Sequence, residues 1–450
     1  MMLDAWRGAG REVAVIGLGK SGIAAARLLA AHGVAVYASD AGKGAGVAAE
    51  AAALVLLGVS AESGRHDLGR IRRAVAAVVS PGIPPEAESI AAARAAGVEV
   101  LAEAELGLRC LPRARVLAVT GTNGKTTTTA LTAHLLAAGG LRAASAGNIG
   151  RPLSEVALEA SPPDWLAVEL SSFQLHDMPT LAPTAGVLTN LAPDHLDRYP
   201  SLAEYYGDKA RLFRNATPRS VWITNADDEE VQKMVAGVPG THRWFSTVYR
   251  SDGWYDRRGA TLRLGTEPLL PRNELLLLGD HNVANALAAS LAARVAGIGT
   301  SALAEGLRTF RALPHRLEPV REVGGVLWIN DSKATNIAST EVALSALDRP
   351  YVLLLGGRHK GEPYTRLAPL LARGCRAVVA YGEARPLVVA DLKGAVPLVE
   401  ARSFDEVLAA AGRLAVPGDA VLLSPACSSY DMFKNYEERG ARFRAAAESL

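Results

Sequence analysis

The chain has 450 residues, room for three domains at about 150 residues each. It is 49% hydrophobic and 21% charged, ordinary for a globular protein, and its net charge of +2 excludes the strong basic field of a nucleic-acid binder. The three cysteines, Cys110, Cys375 and Cys427, lie far apart without metal-ligand spacing, which fits a reducing compartment better than a disulfide framework. The start of the chain carries early acids and no clean h-region, so no signal peptide is expected. Apolar runs such as "ELLLLGD" (274–280) and "YVLLLGG" (351–357) are too short to span a bilayer and are expected as buried strands. A soluble cytoplasmic protein is the expectation.

The first block alternates strand and helix patterns: "EVAVIG" (12–17), "SGIAAARLLAAHG" (21–33), "VAVYASD" (34–40) and "AVAAVVSPG" (74–82). Such alternation implies an α/β fold with a parallel sheet covered on both faces. "GLGKSG" brings Gly17, Gly19 and Gly22 between a strand and a helix, and Asp40 follows 23 residues after Gly17. This fits a dinucleotide fingerprint. The same geometry holds any diphosphate with a ribose, and it also serves plain helix–sheet packing. "CLPRARV" (110–116) breaks the pattern, so a boundary is expected between 98 and 112.

The second block opens with "LAVTGTNGKTTTTALTAHLLAAGG" (117–140). A strand, a glycine turn with one lysine, and a helix form a cradle for phosphate oxygens. Lys125 is placed to neutralise β/γ-phosphate charge and Thr126 to reach Mg²⁺. The first glycine is Gly121, where the general G-x-x-x-x-G-K-[ST] pattern would put one at Val119. The alternative is an ordinary strand-to-helix turn with a surface lysine. "WLAVELSS" (165–172), "AGVLTNL" (185–191) and "SVWITNADD" (220–228) continue the alternation, with polar residues at strand C-termini, the edge where ligands sit in open α/β sheets. Glu169 suits Mg²⁺, which takes one or two carboxylates plus phosphates and water. His195, between Asp194 and Asp197, is either a functional group or a structural hydrogen-bonder. "GDHNVANALAASLAARVAG" (279–297) is expected as an amphipathic helix with a polar entry, and "LRTFRALPHRLEPV" (307–320) places a second boundary near 312.

The third block repeats the alternation in "VLWINDS" (326–332), "YVLLLGG", "AVVAYG" (377–382) and "AVLLSPA" (420–426). Its strand ends carry mixed charges: "NDSKATN" (330–336), "GGRHKGE" (356–362) and "LSPACSSYDMFKNYEERG" (423–440). Spacing alone leaves a solvated loop and a functional edge equally open for Asp331, Lys333 and Lys360. Two nucleotide-type sites on one chain suit an ATP-driven ligase with a nucleotide-linked substrate. The rival classes are an NAD(P) oxidoreductase and a nucleotide-binding switch.

Taken together, the segments resemble the Mur ligase family over nearly the whole chain. Beyond the opening phrase, "GNIG" (147–150), "ELSSFQL" (169–175), "DHLDRY" (194–199), "GDHNVANALAA" (279–289), "LPHRLE" (313–318) and "NDSKATN" carry the resemblance. Within the family, "GLGKSG" followed by "SPGI" (80–83) and "LLSPACSSYDMFKNYEERG" are most similar to the branch that adds D-glutamate. The resemblance implies three domains: residues 1–104, Rossmann-like and binding a UDP-linked substrate; 105–312, a P-loop-type ATPase with a mainly parallel sheet; and 313–450, Rossmann-like and binding the incoming amino acid. It implies ATP-dependent joining of D-glutamate to UDP-N-acetylmuramoyl-L-alanine through an acyl phosphate, in peptidoglycan precursor synthesis, by a monomer that inserts in no membrane and binds no nucleic acid. The alternative within the family is a different amino acid.

By the same resemblance, Gly121, Thr122, Asn123, Gly124, Lys125, Thr126, Thr127, Asn282, Arg316 and Asp331 bind ATP. Two Mg²⁺ ions are held by Thr126, Glu169, His195 and Lys209, with Lys209 carbamylated, because a free ammonium cannot ligate a metal. Lys125, Glu169, His195 and Lys209 form the catalytic set. Gly19, Lys20, Ser21, Asp40, Gly82, Asn148, Ser171 and Gln174 contact the UDP-linked substrate. Lys333, Thr335, Lys360, Ser424 and Phe433 form the D-glutamate pocket. After Asp40 the family pattern has a hydroxyl and then a basic residue, whereas this chain has Ala41, Gly42 and only then Lys43.

Overall fold

The computed structural model describes residues 2–148, 150–195 and 198–450. Ile149, within "GNIG", and Leu196 and Asp197, within "DHLDRY", lie outside the described residues. The chain forms two compact units, Met1–Glu274 with Ala284–Arg308, and Leu275–Val283 with Thr309–Leu450. Among the described residues no helix is long and apolar enough to cross a membrane.

The first unit contains two sheets. The N-terminal one holds β1 (Val13–Ile16), β2 (Val36–Asp40), β3 (Ser60–Ser63), β4 (Ala76–Val79) and β5 (Glu99–Ala102) in the order β3-β2-β1-β4-β5. All neighbours are parallel. Val13 and Val15 enter one apolar cluster and Ala14 and Ile16 another. A strand covered on both faces reads as a continuous apolar run, which is why "VAVI" shows no alternation. The strand order reverses beside β1, and the "GLGKSG" turn leaves β1 at that point, where open sheets bind ligands.

The second sheet comprises β6 (Arg115–Thr120), β7 (Ala143–Gly147), β8 (Trp165–Glu169), β9 (Ala185–Leu188), β10 (Val221–Asn225), β11 (Thr241–Ser246), β12 (Gly253–Asp256), β13 (Thr261–Leu264) and β14 (Glu267–Pro271). The order is β14-β13-β12-β11-β10-β9-β6-β8-β7. The strands β6 to β12 are parallel, and β13 and β14 are antiparallel. The βα alternation read from the sequence therefore stops at β11. The links from β12 to β13 (257–260) and from β13 to β14 (265–266) are too short for a parallel crossover, so the chain can only turn back.

The second unit's sheet holds β15 (Glu318–Val323), β16 (Val326–Asn330), β17 (Tyr351–Gly356), β18 (Cys375–Tyr381), β19 (Leu398–Glu400) and β20 (Ala420–Leu423) in the order β15-β16-β20-β17-β18-β19. Only the edge strand β15 is antiparallel to its neighbour.

Two expectations are corrected. The segment 274–280 belongs to no strand: Leu275 and Leu277 are buried, Leu276 is exposed, and the run leads straight into a helix. That helix, Asp280–Val295, is not amphipathic. Asn282, Val283 and every residue from Asn285 to Ala293 are buried, so no solvent face remains. The expected limit at 104 falls inside the helix Glu103–Arg109, and that at 312 falls between the helix Thr300–Thr309 and β15.

The helix Lys20–Ala31 touches the turn after β1 backbone to backbone. A Cβ on Gly22 would lie 1.8 Å from the carbonyl oxygen of Gly17. The clash is with main chain, which cannot step aside as a side chain can. Gly22→Ala is expected to destabilise the protein by about 1–3 kcal/mol, read as a lowered urea midpoint at unchanged m-value. An unchanged midpoint would show that the turn yields freely.

Candidate active site

β6 lies between β8 and β9, and the phosphate-type loop leaves its C-terminal end. Gly121 and Gly124 have φ of 143° and 80°, backbone that L side chains rarely adopt. Each is also pressed close. A Cβ on Gly121 would meet Thr189 Oγ1 at 2.0 Å, and one on Gly124 would meet Asn285 Oδ1 at 2.4 Å. The end of β9 pins the loop. Asn190 O accepts from Thr122 N and Asn190 Oδ1 from Asn123 N, both at 2.9 Å, while Thr189 Oγ1 and Asn190 Nδ2 donate to Asn123 O at 2.6 and 3.0 Å. The helix Lys125–Ala138 then begins at Gly124 with no side-chain cap. The start of a helix is where the backbone dipole favours an anion.

Two lysines hold the same loop. Lys125 Nζ donates to Thr122 O and Lys209 Nζ to Gly121 O, each at 2.7 Å. Lys209 comes from the helix Leu202–Ala210, capped by Ser201, and is only 1% exposed. Its ammonium sits 4.6 Å from the ring centroid of Tyr205. Burial, reinforced by the charge of Lys125, pushes its pKa well below the ordinary lysine range against the opposing pull of Asp194, Asp208 and Glu169. Thr126 is buried and Thr127 partly buried.

Glu169 ends β8 at 2% exposure. Its Oε1 accepts from Asn148 Nδ2 at 3.1 Å, and its main-chain oxygen accepts from Asn148 N at 2.9 Å. Its Oε2 is buried with no hydrogen-bond partner among the described residues. Ser171 and Gln174 form a capping box at the start of the helix Ser172–His176. That leaves the buried Gln174 Nε2 without a partner among the described residues. His195 has φ of 54°, lies 3.6 Å through Nε2 from Asp194 Oδ2, and packs its ring against Phe173 and Tyr205. Among the described residues no group of three or more His, Cys, Asp or Glu could hold a metal. Mg²⁺ needs no such cage when substrate phosphates complete its shell, and the idle Glu169 oxygen fits that demand.

In the N-terminal sheet, Asp40 Oδ2 accepts from Leu18 N and Oδ1 from Gly42 N, both at 2.7 Å. The carboxylate thus shapes the "GLGKSG" turn and its own turn together. Gly19 caps the helix that carries Lys20 and Ser21, and Lys20 Nζ reaches Gly150 O at 2.5 Å. Gly82 O accepts from Arg198 at 3.1 Å.

In the second unit, Asp331 follows β16 and is buried. It accepts from Leu317 N at 3.1 Å and from Ser424 Oγ at 2.9 Å. Burial pushes its carboxyl up to about 7. Arg316 lies between His315 and Leu317, both at positive φ. Lys333 donates to the Tyr436 hydroxyl at 3.0 Å, and Lys360 to Thr335 Oγ1 at 3.3 Å. Asn282 donates to Leu278 O at 2.8 Å. Phe433 is partly buried. It packs edge-on against Phe404 with the apolar cluster, and the fully buried Ser424 hydroxyl is engaged with Asp331 and Thr340.

Sequence reasoning missed Thr189, Asn190 and Asn285, which shape the loop, and Tyr436 beside Lys333. It also missed Asp208, which gathers His176 (2.8 Å), Tyr199 (3.0 Å) and Arg211 (2.9 Å). Thr189 and Asn190 carried the same signal as Glu169, polar residues just after a strand. Asp208 carried none.

Residues 11–102, 119–293 and 315–427 match, in turn, the families described as Mur ligase MurD-like N-terminal domain, Mur ligase middle domain, and Mur ligase glutamate ligase domain. The chain belongs to the Mur ligase family. Curated Mur ligase relatives named UDP-N-acetylmuramoylalanine–D-glutamate ligase are similar over nearly the full length. That of Acidobacterium capsulatum is 40% identical, covering 97% of this chain and 95% of the relative. That of Myxococcus xanthus is 42% identical, covering 98% and 99%. The fold is also that of solved Mur ligases: UDP-N-acetylmuramate-alanine ligase MurC of Thermotoga maritima superposes with a TM-score of 0.62 at 20% identity, covering 97% of this chain and 99% of that one. MurF of the same organism, solved in complex with ADP, gives 0.59 at 18% identity, covering 83% and 94%.

The raised Asp331 pKa has a measurable consequence. Between the ordinary aspartate value of 3.8 and about 7 the folded state binds a proton that the unfolded state has released. Stability is therefore lost as pH rises through that window and levels off above it. In Asp331→Asn this loss is expected to disappear, as measured by urea unfolding of both proteins at several pH values across it. Parallel curves would show that Asp331 ionises normally.

Proposed function

We propose that this protein is the ATP-dependent ligase that joins D-glutamate to UDP-N-acetylmuramoyl-L-alanine, a cytoplasmic step in peptidoglycan precursor synthesis, working as a monomer. The observation that carries this reading is the full-length similarity to curated ligases of that name at 38–42% identity. The division of labour would run 1–104 for the UDP-linked substrate, 105–312 for ATP and 313–450 for the amino acid.

A carboxylate is a poor acyl donor, because attack on it would expel an oxide-level leaving group. Transfer of the γ-phosphoryl of ATP onto the L-alanine carboxylate makes an acyl phosphate and releases ADP. The D-glutamate amine then attacks the acyl carbon, phosphate leaves, and an amide remains. Both steps crowd negative charge, so cations and N–H donors aimed at the developing charge lower the barrier. The loop 121–124, the first N–H groups of the helix Lys125–Ala138 and the Lys125 ammonium do this at the phosphates, with Thr127 beside them. Asn282, Arg316 and Asp331 hold the remainder of the nucleotide.

Mg²⁺, held by Thr126, Glu169, His195 and Lys209, would neutralise phosphate charge. The open Oε2 of Glu169 supports its share of that task. An ammonium cannot ligate a metal, and Lys209 would serve here as an anion. Its depressed pKa makes the neutral amine accessible, and such an amine takes up CO₂ and loses a proton to become a carbamate. Gly19, Lys20, Ser21, Asp40 and Gly82 hold the UDP moiety, and Asn148, Ser171 and Gln174 orient the rest of that substrate. The unpartnered amide of Gln174 supports this assignment. Lys333, Thr335 and Lys360 receive D-glutamate, with Lys360 facing a carboxylate, and Ser424 and Phe433 line the pocket wall.

Phosphate release measured with UDP-N-acetylmuramoyl-L-alanine, ATP and a panel of amino acids tests the reading. Release is expected with D-glutamate. Release with another amino acid only would reassign the acceptor, and none with any would refute the activity. For Lys209, a carbamate predicts that Lys209→Arg, which keeps a positive charge, is as inactive as Lys209→Ala. Acetate or formate should partly restore Lys209→Ala but not Lys209→Arg. High activity in Lys209→Arg would rule out an anion at this position.

A further inference from the structure

Glu103 opens the helix Glu103–Arg109 and is completely buried. Its Oε1 accepts a hydrogen bond from Ser154 N at 2.6 Å. Its Oε2 is buried with no partner among the described residues. Burial, with the like charge of Glu155 acting the same way, pushes this carboxyl up to about 7. A buried carboxyl with an idle oxygen is costly to keep. An apolar side chain would fill the same volume without that cost, so filling space does not account for the carboxyl.

The Ser154 end of the bond suggests what it is for. The short helix Leu153–Val156 starts after Pro152, and the Ser154 N–H is one of its unclaimed first-turn donors. The two helices meet backbone to backbone, since a Cβ on Gly107 would lie 2.5 Å from Leu153 Cβ and 2.6 Å from its carbonyl carbon. The segment just before this docking point carries Asn148. Its near end is fixed at β8, where Asn148 bonds Glu169 through both main chain and side chain. Lys20 grips it at Gly150 O. Its far end is fixed by Glu103.

We propose that Glu103 is a positioning residue that sets Asn148 for the UDP-linked substrate by anchoring the Ser154 end of the segment on the neighbouring helix. This rests on the functional reading above, in which Asn148 contacts that substrate. The bond acts on one substrate's contact segment, and the phosphate loop is held by other groups, namely Thr189, Asn190 and Lys209.

The test uses Glu103→Ala, which removes the acceptor; Glu103→Gln, which keeps one; and Ser154→Pro, which removes a first-turn donor that makes no intrahelical bond. KM is measured for each substrate in turn. Glu103→Ala and Ser154→Pro are each expected to raise KM for UDP-N-acetylmuramoyl-L-alanine about tenfold, as for a buried N–H or carboxyl left unpaired, with KM for ATP moved less than about twofold. Glu103→Gln should stay near wild type, and the Glu103→Ala/Ser154→Pro pair should be no worse than either single change. The inference is overturned if KM for both substrates rises equally, if neither moves, or if Glu103→Gln is as damaging as Glu103→Ala. Should Glu103→Ala not fold, Ser154→Pro and Glu103→Gln decide by the same criteria. Wild-type protein that turns over no UDP-linked substrate would sink the functional reading itself, a result visible before any variant is made.

Discussion

The backbone of residues 121–124 is held against the ends of neighbouring elements with no room for a side chain at Gly121 or Gly124, and the proposed chemistry depends on that closeness. Thr189 and Asn190 press on it from β9, Asn285 from a buried helix, and Lys209 from below through the carbonyl of Gly121. Glycine is required twice over at Gly121 and Gly124, by positive φ and by contact. A loop so held keeps one backbone arrangement, and a pre-set site needs no reorganisation when charge develops. The same contact places Lys209 deep enough to lose its charge easily. Loop geometry and lysine chemistry are one constraint seen from two sides.

In the first unit the polar groups of the candidate sites divide into those already satisfied and those left open. Ser171, Asn190, Asp208 and Asp40 are fully engaged with protein groups, and their work is to fix shape. Glu169 Oε2 and Gln174 Nε2 are buried and open among the described residues. Buried polar atoms in folded proteins nearly always have partners. Two exceptions at one sheet edge are a sign of ligands. Asp40 shows the converse. The resemblance gives it a contact with the UDP-linked substrate, and both its oxygens already hold main-chain donors, so turn formation is its first duty.

The second unit repeats the arrangement with different chemistry. Polar residues again follow the strands β16, β17 and β20, and Asp331 is buried beside Ser424 and Thr340. The fully buried Arg439 ties Ser332 to the main chain of Cys427, so the two loops that flank Asp331 are cross-braced. A cation used this way acts through its fixed fork of N–H groups as much as through its charge.

The sequence by itself determined the class of fold and the places where chemistry sits. Apolar runs followed by polar residues marked β6, β8, β16 and β20 with their ends, because a strand buried on both faces must be apolar and its C-terminal edge is where a parallel sheet opens to solvent. The glycine–lysine–threonine turn was legible for the same reason: local backbone geometry dictates those residue types. The tertiary structure alone decided what depends on distant packing. The burial of Lys209 comes with its contact to a loop 88 residues away. The buried circumference of the helix Asp280–Val295, the antiparallel return of β13 and β14, the packing of Phe433 against Phe404, and the Glu103–Ser154 tie were likewise invisible. Each is set by which segments meet in three dimensions, and periodicity along the chain carries no record of that.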